Sequence, residues 1–187
     1  MIGTLAVAAA LVVQAIDIDT AHGSEAEHRT AEQLRALLRR YDISPWLFTR
    51  RVRIDERAIP HSHPVLTLHT RHLGQDILLL STFLHEELHW FLDSKAEDTR
   101  AAVADLEKLF PEVPVGFPEG ADSRQSTYEH LLLTYLERDL LVRVVGDAEA
   151  SSAMNFWAAD HYRWIYRTML EGTKEIGTIV ARYKLQP

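Results

Sequence analysis

Two histidines four residues apart, with a glutamate directly after the first, are the side chains best placed to do chemistry in this chain. They lie in Phe83-Leu84-His85-Glu86-Glu87-Leu88-His89-Trp90, which contains H-E-x-x-H. On a helix, positions i and i+4 share one face about one turn apart. One divalent ion can then reach both imidazoles. Glu86, rotated about 100° from His85, comes near enough to take a proton from water beside the ion without ligating it. The chain has 10 His, and six of them (His61, His63, His69, His72, His85 and His89) crowd into one stretch. There is no Cys. Any metal must therefore be held by His, Asp or Glu, and a disulfide framework, a thiolate zinc finger, an iron–sulfur cluster and a cysteine nucleophile are excluded.

The motif needs a helix to position it. Ile77 to Leu92 is an apolar run interrupted only by Ser81, Thr82, His85, Glu86, Glu87 and His89. It is too long for a strand and lacks Gly and Pro, so it reads as a buried helix. Two imidazoles and two carboxylates on such a helix are costly to bury without partners. Upstream, Trp46 to Asp55 alternates Phe48, Val52 and Ile54 against Thr49, Arg51 and Arg53, which predicts a half-buried strand. Pro60 and Pro64 bracket His61-Ser62-His63, and Val65 to Thr70 reads as a second strand whose leading Pro suits a sheet edge. Thr30-Ala31-Glu32-Gln33, Ser94-Lys95-Ala96-Glu97 and Ser126-Thr127-Tyr128-Glu129 have the form of capping boxes. They predict helices ending near Tyr41, near Phe110 and near Val145. A loop rich in Pro and Gly occupies residues 111–125. A last helical stretch runs from Ala150 to about Arg182, with breaks near Gly172 and Gly177.

A catalytic metal centre needs three protein ligands and one open position. Within a few residues after His89 there is no His or Glu at a helix-compatible turn. The next candidates are Glu129, His130 and Glu137. His130, Thr134 and Glu137 share the one polar stripe of an otherwise Leu-rich helix, His130 and Glu137 being two turns apart. Glu129 already has work as the third residue of a capping box. We take His130 as the third ligand, with Glu137 beside it in support or in its place, and Glu129 as the remaining alternative. His61, His63 and His69 either line a cleft or are turn and surface residues. Asp160 is a candidate for orienting a ligand imidazole.

Composition bounds the class. The chain has 187 residues, 47% hydrophobic and 25% charged, which suits one globular domain with a sizeable core. Its formal net charge is -7, from 20 basic and 27 acidic residues, which disfavours a nucleic-acid partner. Residues 1–16 form an apolar lead segment, too short for a bilayer span. It reads as an export signal lacking a positive n-region or as a buried N-terminal element, and a cytoplasmic location is slightly favoured. Residues 17–187 form the single domain.

On these residues the sequence resembles the zincin metallopeptidases, whose zinc-binding motif is H-E-x-x-H. The resemblance covers five residues firmly and about sixty loosely. It implies an α+β fold in which a small sheet with an edge strand packs on a buried motif helix, with further helices closing the far side. It also implies zinc, a peptide or protein substrate, and peptide-bond hydrolysis with Glu86 as general base. Zincins use a Tyr or His to stabilise the oxyanion, which makes Tyr162, Tyr166 and His161 candidates, Tyr162 foremost. The metzincin pattern, with a third His soon after the second, is absent. A third ligand at His130, with Tyr135 and Glu137 following it, departs from the gluzincin Glu. Two other classes remain: a protein that binds metal without hydrolysis, and an interaction module whose histidines only pack.

Overall fold

The computed structural model describes residues 16–187. The apolar lead segment lies outside the described residues except for Ile16, which packs against the core. The elements follow in the order β1 (Asp17–Thr20), α1 (Glu25–Arg40), a 3-10 turn (Ser44–Trp46), β2 (Arg51–Ile54), β3 (Leu66–Leu68) and a second 3-10 turn (Thr70–His72). Then come α2 (Asp76–Ser94), α3 (Ala96–Leu109), α4 (Arg124–Val145), α5 (Asp147–Asp160), α6 (Arg163–Glu171) and α7 (Thr173–Arg182). The fold is mixed α/β and mostly helical. Among the described residues, no helix is long and apolar enough to cross a membrane.

The sheet is small and parallel, in the order β1-β2-β3. Parallel neighbours need a crossover, and α1 supplies it between β1 and β2. The connection from β2 to β3 contains no helix. Its return leg pairs antiparallel with the outer side of β3 through the bridge between His61 and Thr67. Val52, Ile54, Leu66 and Leu68, which share one face by the register, are buried, whereas Arg51 and Arg53 on the other face of β2 reach solvent. The alternation expected from Trp46 to Asp55 holds only over β2. The cause is on α2: the Glu87 carboxylate accepts the backbone N–H groups of Phe48 (2.7 Å) and Thr49 (2.9 Å), so neither is free for a strand ladder.

The three expected capping boxes are not the helix starts. α1 begins at Ser24, whose hydroxyl accepts from Glu27 N while Glu27 reaches back to the cap; Thr30 lies inside the helix and donates to Ala26 O (2.8 Å). Ser94 ends α2, its hydroxyl donating to Phe91 O (2.6 Å). α4 starts three residues earlier than expected, with Ser123 as its cap accepting from Ser126 N (3.1 Å). The last stretch breaks at Gly172 and also at His161-Tyr162, but not at Gly177, which lies within α7. Gly177 serves close packing instead: a Cβ there would lie 2.6 Å from the Tyr135 hydroxyl.

α4 is the hub of the helical layer, packed by α2, α3, α5, α6 and α7. Its leucines at 131, 132, 133, 136, 140 and 141 are all buried. This is why it carries no simple apolar stripe: a helix surrounded on nearly every side is apolar nearly all round. α2 lies between α4 and the sheet, so the two helices that carry the candidate ligands meet in the core.

The Glu27 cap ties α1 to the sheet and makes stability depend on pH. Its buried carboxylate accepts N–H groups from His22 (2.8 Å), Gly23 (2.8 Å), Ser24 (3.4 Å) and Glu56 (3.1 Å). Burial raises its pKa, but the backbone donors together outweigh that and hold it below the ordinary 4.5. A lowered folded pKa stabilises above the unfolded value and loses that contribution as pH falls through the folded one. Glu27→Gln is therefore expected to cost about 2–3 kcal/mol at pH 7, the worth of charge-assisted bonds. Denaturant unfolding checks this, and the gap between wild type and variant should shrink at pH 3.

Candidate metal centre

Three imidazoles converge where α2 crosses α4. One ring nitrogen from each of His85, His89 and His130 lies within 4.8 Å of the other two. The ring centroids form a near-equilateral triangle: 5.3 Å between His85 and His89, 5.5 Å between His85 and His130, and 5.1 Å between His89 and His130. The i,i+4 spacing on α2 supplies the two corners of the triangle's base, and the polar stripe of α4 supplies the apex.

Two of the rings are oriented by their far nitrogens. His130 Nδ1 faces the carbonyl of Ser126 one turn back (2.7 Å) and donates to it. His85 Nδ1 faces Glu137 Oε2 (3.0 Å). A chain of donors makes Glu137 the acceptor: Trp157 Nε1 donates to Ser81 Oγ (2.8 Å), Ser81 donates to Glu137 Oε1, and the Tyr166 hydroxyl donates to Oε2 (3.0 Å). His85 Nδ1 therefore carries its proton, and Nε2 presents a lone pair. Burial pushes Glu137 up to about 7, against the bonds from Ser81 and Tyr166. Burial likewise depresses all three imidazoles, His85 to about 3, His89 to about 2 and His130 to about 4. The trio is thus neutral at pH 7, the form that binds a cation.

The surroundings fit a metal. Two buried imidazoles, a half-buried third and two buried carboxyls gathered at one point are costly without a cation, and an all-nitrogen donor set suits zinc rather than calcium or magnesium. All three rings line a cleft of about 920 Å³, together with Glu86, Tyr162 and His161. Glu86 is buried, and burial together with the nearby Glu137 pushes it up to about 8. The Tyr162 ring lies 4.6 Å from that of His130. Tyr162 sits at the start of α6 in the left-handed region, φ 51° and ψ 37°. A non-glycine residue rarely adopts that conformation, and such strain gathers at functional sites. Burial raises its phenol to about 12.

Other expected residues fall elsewhere. Glu137 touches the far nitrogen of His85 and is outside the three-imidazole group. Glu129 is half-buried and accepts from the Gln125 side chain (2.8 Å). Since Ser126 is not the helix cap, the capping argument against Glu129 lapses, and its position decides. Tyr135 faces Gly177 on α7. Asp160 orients His161 (Nδ1 to Oδ2, 2.9 Å) and no ligand ring, and Arg71 holds it from across the cleft (3.0 Å). His61 and His69 line the cleft, whereas His63 stacks on Trp90 with ring centroids 3.9 Å apart. Ser81, Trp157, Tyr166 and the Ser126 carbonyl went unnoticed in the sequence as orienting groups. The one local signal was Ser81, one turn before His85 on the same face.

No family model, curated protein or solved structure matches the chain. Its function has to be read from the chemistry of this site.

Proposed function

We propose that the protein is a zinc-dependent peptidase of zincin type, with His85, His89 and His130 as ligands and Glu86 as general base. One observation carries the reading. Three ligand rings, all lining the cleft, stand beside a buried carboxylate, and the group includes no fourth protein ligand. Structural zinc sites are closed by four protein ligands, whereas catalytic ones keep a position open.

When bound, the ion supplies a Lewis acid that acidifies water and polarises a carbonyl. The chain's own residues account for the rest. Glu86 takes the proton of the attacking water on a carboxylate oxygen and returns it to the nitrogen of the leaving amine. Tyr162, protonated at neutral pH, donates a hydrogen bond to the oxygen that gains charge. Glu137 and the Ser126 carbonyl hold His85 and His130 in the tautomer that offers Nε2. Three histidines set this ligand group apart from the two-His, one-Glu set of the gluzincins.

Metal analysis and peptide turnover on untagged protein test the reading. The expected result is about one zinc per chain, with cleavage of a mixed peptide pool that a chelator stops and zinc restores. A chain that takes up one zinc and cleaves nothing would be a metal-binding protein without hydrolysis. A chain that takes up none would be an interaction module.

A further inference from the structure

Two large apolar side chains stand in water on the cleft that holds the metal centre. Ile59 is 85% exposed and Phe117 is 80% exposed, and both line that cleft. Ile59 comes from the connection between β2 and β3, Phe117 from the loop between α3 and α4. A single exposed apolar residue needs no explanation. Two of the largest on one cleft, from unrelated segments, forgo burial that the fold could have used.

Both stand on fixed backbone. The Ile59 carbonyl accepts from His61 Nδ1 (2.8 Å), and His61 exchanges backbone hydrogen bonds with Thr67 of β3 (3.1 and 2.8 Å). On the other segment, Gly116 N donates to Ala121 O (2.8 Å) and Gly120 N to Gly116 O (2.9 Å), closing the turn that carries Phe117. The carbonyls of Pro118 and Glu119 accept from Arg163 and Trp164 at the start of α6 (2.9 and 3.2 Å). Gly120 admits no side chain, since a Cβ would lie 2.2 Å from the Pro114 carbonyl oxygen. Rigid loops that present apolar side chains are prepared for contact, because little ordering remains to oppose binding.

The occupant follows from what the cleft continues into. Glu86 and the three imidazoles line the same space as Ile59 and Phe117. A folded second copy seated on these two residues would cap the cleft and shut its open ligand position; an extended chain would lie along it. We propose that Ile59 and Phe117 are specificity determinants that grip a bulky aliphatic or aromatic side chain of a polypeptide substrate beside the bond to be cut. This rests on the peptidase reading above. Substrates bearing Leu or Phe at that position are favoured over those bearing Ser or Asp, and each clamp residue contributes about 10-fold, the worth of one good apolar contact.

The test uses the zinc-loaded full chain and a set of fluorescent peptides differing only at one position, Leu, Phe, Ser or Asp. Cleavage is read as kcat/KM, and binding is read separately as fluorescence anisotropy on Glu86→Gln protein. With Ile59 and Phe117 in place, Leu and Phe should be preferred in both readouts. Ile59→Ser and Phe117→Ser should each cut that preference about 10-fold, while metal content and melting midpoint stay put because both residues are exposed. Binding that discriminates in this way without any cleavage upholds the clamp and removes the peptidase reading. Cleavage without apolar preference, or a preference that survives both substitutions, overturns the clamp and leaves the peptidase. So does a wild-type dimer by sedimentation that either substitution dissociates, since the two residues would then be an interface.

Discussion

His85→Ala, His89→Ala and His130→Ala are each expected to strip the protein of zinc under conditions where the wild type holds about one ion. The three rings form one triangle with no redundant member. Zinc sites built from protein side chains bind with about 10–16 kcal/mol. One ligand among three or four therefore carries roughly 3–4 kcal/mol, or about 10²–10³ in affinity. Glu137→Ala removes only the group that orients His85 and should cost about 10–100-fold. Glu129→Ala, bonded to Gln125 on the surface side, should cost nothing measurable. Competition with a chromophoric chelator ranks all five variants. If Glu137→Ala ranks with the histidine variants and His130→Ala does not, the ligands are two His and one Glu. Melting curves recorded without metal keep the test honest, because Glu137 also holds Ser81 and Tyr166.

How much of this was legible beforehand follows from which forces are local. The motif helix was, because sixteen residues without Gly or Pro leave few alternatives to a buried helix. The meeting of His130 with His85 and His89 was legible for a similar reason: a polar stripe on a helix packed all round must find polar partners inside. The sheet was not. Strands of three and four residues carry no sign of direction, so the parallel order of β1, β2 and β3 had no sequence signal. Glu87 shortens the expected first strand from 39 and 38 residues away in the chain, and no window could reveal that. Ser24 and Thr30 both head a box-like pattern. Ser24 wins because Glu27 also accepts Glu56 N from the sheet side, a tertiary vote. The orienting network reads the same way: Tyr166 is 29 residues from Glu137, and Trp157 is 76 from Ser81. Local pattern placed the candidate ligands on their helices; long-range contact decides which way His85 and its orienting groups face.

Glu86→Gln should keep the metal and the fold while hydrolysis falls by about 10²–10⁴-fold, the usual worth of a positioned general base. Glu86 stands one residue from His85 on the cleft side of α2 but outside the three-imidazole group. It can therefore serve water in the cleft without holding the ion. Gln matches its shape and cannot accept a proton. Burial raises Glu86 to about 8, so the neutral amide replaces a group that the bare protein prefers uncharged, and the melting midpoint of the metal-free variant should equal or exceed the wild type's. This sets activity and stability moving in opposite directions, which a merely structural Glu86 would not do. Glu86→Asp separates charge from reach: it restores a proton acceptor on a shorter arm and should recover part of the rate that Gln loses. Zinc content, melting midpoint and kcat/KM on one peptide, measured for wild type, Gln and Asp, check the assignment. Loss of zinc from Glu86→Gln would make Glu86 a ligand, and unchanged turnover would send the search for the base to another group lining the cleft.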